Sequence, residues 1–472
     1  HVSKDGGATW NNVTPKQLPE WVLITQIDPS HFDAGTCYIS ATRYKSDDIK
    51  PYIFKTTDFG ATWTLIVNGI PEGAYCRCVR NDPNKLGYLY AGTETGIYIS
   101  VDDGRNWQNF NLNLPLTPVH DIQVQTDWND LVIATHGRSF WILDDLSTIY
   151  QWSDSLQHST AKLLVPRHAY WTQSGSYYYE GMQTGENGPS GLLLHYFFNQ
   201  KPKGEVQLKF FTADGDTIIT YSSDHTVSGD PIKVSTEFYE EKDSHRDGTV
   251  SADSGMNTFN WDLRYPDATK VNGNMVMWSG GLTGPMAAPG KYFVQLIVDG
   301  KVVDDQDFFV LKDPRVAASN QDLKDQFDFM LKVNHKLSDV HKAINQLRDI
   351  RNQINTINGN ITDTTVAKQF RDYSKPMIDS LSVVEDALIQ WHAKAGQDLL
   401  NYPIKLNDKL AGLGSAAGSA ESKPTQQEYD AYALLEKQID VQLNKLKKVV
   451  DEKLPVYNQM IETNKVFGVK VN

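Results

Sequence analysis

The stretch that decides the fold is Ser3-Lys4-Asp5-Gly6-Gly7-Ala8-Thr9-Trp10, because the chain repeats its pattern twice more. The second copy is Thr56-Thr57-Asp58-Phe59-Gly60-Ala61-Thr62-Trp63, and the third is Ser100-Val101-Asp102-Asp103-Gly104-Arg105-Asn106-Trp107. All three follow (Ser/Thr)-x-Asp-x-Gly-x-(Thr/Asn)-Trp in register. Coincidence does not explain this agreement, so the chain contains a structural repeat.

Each specified position of the repeat has a structural task. The Asp side chain accepts hydrogen bonds from nearby backbone N–H groups in a tight turn. The Gly adopts a positive φ, and the Trp ring packs beside the neighbouring sheet. We therefore predict structural and not catalytic roles for the residues at these positions, which are Asp5, Gly7, Trp10, Asp58, Gly60, Trp63, Asp102, Gly104 and Trp107.

The repeat returns at an interval typical of four-stranded blades. Successive tryptophans lie 53 and then 44 positions apart, and a turn followed by an apolar strand keeps the same phase. The motif resembles the Asp-box, or BNR repeat, of sialidase-like and sortilin-like (VPS10-like) β-propellers, including bacterial proteins of the "glycosyl hydrolase BNR repeat" type. The resemblance implies that residues 1–150 are the C-terminal blades of a propeller.

Three copies are too few to close a ring, since propellers typically have four to eight blades. The expectation is therefore that the chain is the C-terminal part of a larger protein, with the remaining blades of that protein as partners. A stretch at 135–145 resembles the one that closes the propeller in large secreted BNR proteins of bacteria.

The same stretch supplies the candidate ligand-binding residues, His136, Arg138 and Trp141. His136 and Arg138 flank a glycine at a turn, a position from which both side chains can face the central channel of a propeller. The structural alternative is that Arg138 pairs with Asp144 or Asp145 and that His136 caps a turn.

Beyond residue 150 the sequence predicts a multidomain chain, all-β followed by all-α. Residues 151–189 form a connector rich in Tyr, Ser and Gly, which includes Tyr177-Tyr178-Tyr179. Residues 190–312 alternate apolar and polar positions, and their strings Gly-x-Asn-x-Phe-x-Trp-Asp-Leu-Arg and Pro-Gly-x-Tyr resemble FlgD-type immunoglobulin-like β-sandwiches. Residues 313–472 carry helical apolar stripes and predict an antiparallel three-helix bundle with a flexible linker near 411–424.

Composition excludes several classes. The net charge of -13, without a basic run, argues against nucleic-acid binding. No apolar stretch reaches the length of a membrane span. The three cysteines, Cys37, Cys76 and Cys78, are predicted to be buried thiols. No phosphate loop, HExxH motif or Ser-His-Asp motif is present, so no cofactor, metal site or catalytic residue is assigned.

Two functions remain from different classes. The first is an exported, non-catalytic protein of the bacterial envelope (secreted, periplasmic or cell-surface) that binds a polypeptide or a glycan. The alternative is a glycoside hydrolase, of the sialidase-like or two-propeller glycanase type, whose catalytic residues lie partly in missing N-terminal blades. A sialidase needs an Arg triad and a Tyr–Glu pair, whereas other glycosidases need paired carboxyl groups. Glu72 and Glu94 are available, but no spacing rule pairs them.

Overall fold

The computed structural model describes residues 1–172, 190–224, 249–273 and 275–466. The part of the predicted connector at 173–189, including its three consecutive tyrosines, and the last six residues of the predicted bundle lie outside the described residues. The chain divides into two compact units, His1–Gln157 and His158–Asn472. We call them the first and the second unit.

The first unit is built from antiparallel sheets in which sequence neighbours pair. Sheet 1 has the order β1-β2-β3-β4, sheet 2 has β5-β6-β7-β8, and sheet 3 has β11-β10-β9. The strands are β1 (Leu23–Pro29), β2 (Cys37–Arg43), β3 (Asp48–Thr56), β4 (Thr64–Leu65), β5 (Cys76–Asn81), β6 (Leu89–Thr93), β7 (Gly96–Ser100), β8 (Gln108–Asn109), β9 (Val119–Gln125), β10 (Asp130–Thr135) and β11 (Phe140–Leu143). Short helices α1 (Ser147–Gln151) and α2 (Asp154–His158) follow.

The sequence repeat occupies equivalent turns of these sheets. The second copy connects β3 to β4, and the third connects β7 to β8. The first copy is a hairpin whose flanking residues Val2 and Asn11 form an isolated bridge. The second and third copies therefore each link the third strand of a sheet to its short fourth strand.

Successive sheets pack on one another through small apolar cores. Ile53 of sheet 1 and Leu89 of sheet 2 share one core with Trp107. Tyr90 of sheet 2 and Ile122 of sheet 3 share another. The first strands of the sheets, β1, β5 and β9, lie side by side without pairing as one sheet. Side chains of three sheets consequently meet along these first strands.

The cysteines lie in this unit. Cys76 and Cys78 are buried and free, as predicted, and a β-bulge in the pairing with β6 separates them. Burial raises the pKa of the Cys76 thiol to about 12, so the thiol stays protonated at neutral pH. Cys37 is also free but only partly buried.

The second unit begins with two sheets that share one core. One sheet has the order β12-β14-β17 and the other β13-β19-β18-β15-β16. Two of these strands, β12 and β13, lie within the predicted connector, so the two-sheet region begins before residue 190. The strands are β12 (Ala161–Leu163), β13 (Ala169–Trp171), β14 (Leu192–Phe198), β15 (Val206–Thr212), β16 (Thr217–Ser222), β17 (Gly255–Trp261), β18 (Gly290–Val298) and β19 (Lys301–Lys312).

Aromatic side chains fill the core between these sheets. Trp261 is fully buried. The centroid of its ring lies 4.4 Å from the ring centroid of Phe210 and 6.0 Å from that of Phe308. Alternate residues of β14 and β17 point into this core, which is the period expected of half-buried strands.

The C-terminal part of the second unit is helical. Its helices are α3 (Asn320–Asn360), α4 (Thr364–Leu388), α5 (Leu406–Ala417), α6 (Gln426–Lys448) and α7 (Leu454–Thr463), with a π-helical turn at Val449–Lys453. Capping boxes form at Ser319 with Asp322, at the start of α3, and at Thr425 with Glu428, at the start of α6. Each satisfies two backbone N–H groups that the first helical turn leaves without partners.

The prediction of a flexible linker near 411–424 is wrong in its first half, because residues 411–417 belong to α5. The glycines there serve close packing: a Cβ on Gly414 would lie 3.2 Å from Val333 of α3, and one on Gly412 would lie 2.6 Å from Ser279. In addition to α3, α4 and α6, the described residues of the predicted three-helix bundle form two further helices, α5 and α7. No described helix is long and apolar enough to cross a membrane.

Candidate functional site

The Asp residues of the repeat hold their own turns. Around Asp5, Thr9 donates its amide to Oδ1 at 2.9 Å and its hydroxyl to Oδ2 at 2.6 Å. The Ser3 hydroxyl donates to Oδ1 at 2.8 Å and accepts the Gly7 amide at 2.7 Å. The same four bonds recur in the other two copies, with lengths between 2.6 and 2.9 Å.

These bonds keep the three carboxylates charged. The hydrogen bonds from Thr9 lower the pKa of Asp5 to about 2, and those from Thr62 lower the pKa of Asp58. At Asp102 partial burial raises the pKa, but the bonds from Asn106 outweigh it. A carboxylate whose acceptor sites are filled by its own turn is a structural group, not a proton donor.

The first strands carry the polar side chains that lie between sheets. Arg80 of β5 donates through Nη1 to Asp28 of β1 and through Nη2 to Asp121 of β9, both at 3.0 Å, and through Nε to the Ile122 carbonyl at 2.9 Å. Asp28 is nearly buried and also accepts the Asn81 amide at 2.6 Å. One guanidinium thus joins the first strands of all three sheets.

A second guanidinium on β5 organises another group of polar and aromatic side chains. Arg77 donates to Glu94 through Nε at 3.0 Å and through Nη2 at 2.7 Å, and it donates to the Tyr75 hydroxyl at 3.1 Å. Its guanidinium carbon lies 4.8 Å from the ring centre of Tyr44 and 4.9 Å from that of Tyr75. The two tyrosine rings stack with centroids 5.1 Å apart.

Two histidines extend this group. The rings of His120, on β9, and His136 stack with centroids 5.2 Å apart. Burial lowers the pKa of His120, and the positive charges of Arg77 and His136 lower it further. We call Tyr44, Tyr75, Arg77, Glu94, His120 and His136 the Arg77 cluster.

The protonation states of the cluster suit binding. Partial burial lowers the pKa of Arg77, but the hydrogen bonds to Glu94 raise it by more, so the net shift is upward. The ion pair therefore persists at neutral pH. His120 is mostly neutral there and offers one ring N–H donor and one ring nitrogen acceptor. The cluster therefore presents aromatic faces, donors and acceptors, with the charge of Arg77 already balanced by a carboxylate.

The sequence candidates are only partly brought together. His136 joins the cluster through His120, and its amide donates to the Pro118 carbonyl at 2.9 Å. Arg138 is exposed on the same β10–β11 turn, and its carbonyl accepts the Trp141 indole N–H at 2.8 Å. Among the described residues, no ion pair joins Arg138 to either aspartate proposed as its partner.

Sequence reasoning named Glu94 as an available carboxyl group but missed the cluster members Tyr44, Tyr75, Arg77 and His120. A usable signal existed for two of them, since Arg77 and His120 each occupy the second position of a first strand. Counting from the tryptophan of the preceding repeat locates that position to within one residue, because Arg77 follows Trp63 by 14 positions and His120 follows Trp107 by 13. Tyr44 and Glu94 follow second strands and carry no comparable signal.

The cluster also contains part of a sialidase-type arrangement, a tyrosine beside a glutamate and an arginine. Burial, and after it the hydrogen bond to Glu94, raise the pKa of the Tyr75 hydroxyl, so that this hydroxyl is protonated at neutral pH. A nucleophile requires the opposite shift or an adjacent base with free capacity. In the described part of the chain, no group of three or more His, Cys, Asp or Glu residues could hold a metal ion.

The chain matches no protein-family model and no curated protein. Among solved structures it is similar to YCF48 from Cyanidioschyzon merolae (14% identity, TM-score 0.19, covering 25% of this chain and 38% of that one). It is also similar to the GH74 enzyme of Niastella koreensis (14% identity, TM-score 0.22, 43% and 30%). A structure of YCF48 bound to D1 peptide gives 15% identity and a TM-score of 0.22, covering 46% and 59%. The chain thus covers less than two thirds of each, and such TM-scores establish no common function.

Proposed function

We propose that the first unit is part of an Asp-box β-propeller and binds a polypeptide at the Arg77 cluster, in an exported protein. Sheets 1 and 2 are the blades in this proposal, and β1, β5 and β9 are the inner strands that line a central channel. The sheet order and the position of the repeat between third and fourth strands support this assignment.

The composition of the Arg77 cluster carries the choice of ligand. Tyrosine and arginine are enriched among the residues that dominate binding energy at protein interfaces. Glu94 balances Arg77, so a simple anion gains little by binding there. A peptide offers backbone donors and acceptors to His120 and apolar side chains to the tyrosine rings. It can therefore contact both kinds of group in the cluster.

Peptide selection tests the proposal. A random peptide-display library would be selected on the purified chain, and the affinities of recovered peptides would be measured by fluorescence anisotropy. Arg77→Ala and Tyr75→Ala should each weaken binding by about tenfold or more, the size typical of an interface hot spot. Arg105→Ala, a matched change of an exposed arginine in the same unit, should leave affinity unchanged.

The glycoside hydrolase alternative predicts a different result. Reproducible sugar release from a polysaccharide panel, abolished by Glu94→Gln, would replace the binding proposal with an enzymatic one. Recovery of no peptide that depends on Arg77 would also contradict the proposal. Glu94→Gln removes the carboxylate charge but keeps the side-chain shape, so it separates catalysis from packing.

A further inference from the structure

Part of the connection between β17 and β18 lies on helix α3. We call residues 268–273 the docked segment. Two of its side chains, Ala268 and Val271, are buried in the apolar core of the helical region. That core also contains Val340 and Ile344 of α3. The two-sheet region of the second unit therefore reaches into the helices through this segment.

Four polar side chains on one face of α3 hold the backbone of the docked segment. They follow one another at steps of three, four and three residues, as a single helix face requires, and are Ser338, His341, Asn345 and Arg348. Ser338 Oγ accepts the Thr269 amide at 3.0 Å, and Asn345 Oδ1 accepts the Asn272 amide at 2.7 Å. Asn345 also donates to the Lys270 carbonyl at 2.9 Å. Arg348 donates to the Asn272 carbonyl at 2.7 Å. Because the docked segment belongs to no helix or strand, these side chains supply the partners that its backbone needs.

The fourth side chain of this face, His341, is fully buried and uses both of its ring nitrogens. Its Nδ1 lies 2.6 Å from the Thr269 carbonyl. A carbonyl can only accept, so Nδ1 carries a proton. Its Nε2 lies 3.3 Å from the amide nitrogen of Asn407 on α5, which donates. Nε2 is therefore an acceptor, and the arrangement fits the neutral imidazole.

The carboxylates on the surrounding elements have other partners. Asp408 of α5 and Asp267, just before the docked segment, accept backbone amides at 2.8–2.9 Å. Glu385 of α4 pairs with two arginines of α3. Cations, Lys342 and Lys270, follow directly after the imidazole and after its carbonyl partner. A second proton on the imidazole would thus be a buried charge facing an N–H donor, which is costly.

We propose that protonation of His341 releases the docked segment from α3 while helices α3 and α5 stay folded. Opening the segment lets water reach the charged imidazole. The segment yields before the helices because its backbone bonds go to side chains, whereas each helix keeps its own backbone bonds. This release does not depend on the function proposed for the first unit.

The pH range of the release follows from the two environments of the imidazole. Burial lowers the pKa of His341 to about 4, from an ordinary value of 6.5 that the hydrated ring of the open segment would regain. The open form therefore binds the proton first as pH falls. The open population of the docked segment should rise roughly fiftyfold between pH 7 and pH 4.5.

Hydrogen exchange of the intact chain tests the proposal. Exchange of peptides that cover residues 265–273 would be compared at pH 7 and pH 4.5, after correction for the intrinsic effect of pH on amide exchange. These peptides should lose protection by the factor given above. Peptides from α3 and α5 should lose far less, because the helices stay folded.

Two variants remove the effect by different routes. His341→Gln removes the titrating group, and the docked segment should then be equally protected at both pH values. Asn407→Asp replaces the amide donor with a carboxylate of the same shape, which can pair with the charged imidazole and keep the segment closed at pH 4.5. This second variant decides the question if His341→Gln does not fold.

His335→Gln is the matched control, since this histidine is exposed on the same helix, and it should leave the loss of protection intact. An unchanged segment in the parent chain at pH 4.5, or equal loss in the segment and the helices, would overturn the proposal. A loss that persists in His341→Gln or in Asn407→Asp would also overturn it.

Discussion

The two units use polar side chains differently where sheets meet. In the first unit Arg80 bridges Asp28 and Asp121 across three sheets, and Arg77 pairs with Glu94 beside two tyrosines. In the second unit the two sandwich sheets meet through Trp261, packed between aromatic neighbours. Apolar cores join the sheets of both units. The difference is that one guanidinium, that of Arg80, joins three sheets of the first unit, whereas the ion pair between Lys162 and Asp304 of the second unit joins two. Arg77 and His120 of the Arg77 cluster lie on the same first strands as Arg80 and Asp121.

Trp261→Ala gives the largest expected effect. The side chain is fully buried, and removing a buried tryptophan costs about 3–5 kcal/mol of unfolding free energy, because a cavity remains. Urea unfolding followed by hydrogen exchange of peptides from each unit measures the change. Trp278→Ala, at 53% exposed, should cost far less. Equal destabilisation of the first unit by Trp261→Ala would contradict the separation of the cores.

Acid should act on the second unit through His341. Its Nδ1 lies 2.6 Å from the Thr269 carbonyl and its Nε2 lies 3.3 Å from the Asn407 amide nitrogen. Burial lowers the pKa of His341 to about 4.

The unfolded chain binds this proton near pH 6.5 and the folded chain only near pH 4, so stability falls as pH drops through that window. The shift corresponds to roughly 3 kcal/mol. His341→Gln should flatten this part of the stability–pH curve. His335→Gln, an exposed histidine on the same helix, should not, and an unchanged slope in His341→Gln would contradict the assignment.

Asp28→Asn tests charge in the first unit. The carboxylate is 6% exposed and is bonded to Arg80 and to the Asn81 amide. Removing its charge should lower the unfolding free energy of the first unit by about 2 kcal/mol, because Arg80 remains partly buried with one partner fewer. Added salt should reduce the difference between variant and parent. Asp127→Asn, an exposed aspartate, is the matched control.

The smallest effects are expected within the repeat itself. Asp102→Ala removes a carboxylate that holds a turn backed by Trp107 and should cost about 1 kcal/mol, the size of losing a comparable cap. Asp5→Ala removes the same bonds from an exposed turn and should cost less. Thermal unfolding of the two variants measures the order, and a larger loss at Asp5 would mean that the first turn supports more structure than its contacts show.

The sequence predicted local structure better than the site. The turns around Asp5, Asp58 and Asp102 could be predicted because all their bonding groups lie within one short motif. The Arg77 cluster could not, since its residues come from three sheets, and the bulge between Cys76 and Cys78 decides which side chains share a face. The region near 411–424 was misread because glycine signals flexibility and close helix packing alike; Gly414 serves the second.

The dependence of each repeat on the previous one gives the first unit a polarity. The Trp63 indole N–H donates to the Val13 carbonyl at 2.7 Å, and the Trp107 indole N–H donates to the Ile66 carbonyl at 2.8 Å. Removing the segment that follows one repeat therefore uncovers the tryptophan of the next. Removing the last repeat uncovers no earlier tryptophan in this way. In an array with nearest-neighbour coupling, removing a repeat from either end removes one interface, but here the group left exposed differs between the two ends. Truncations from the N-terminal side and from the C-terminal side should therefore differ in effect. Only the N-terminal truncations expose the tryptophan of the next repeat.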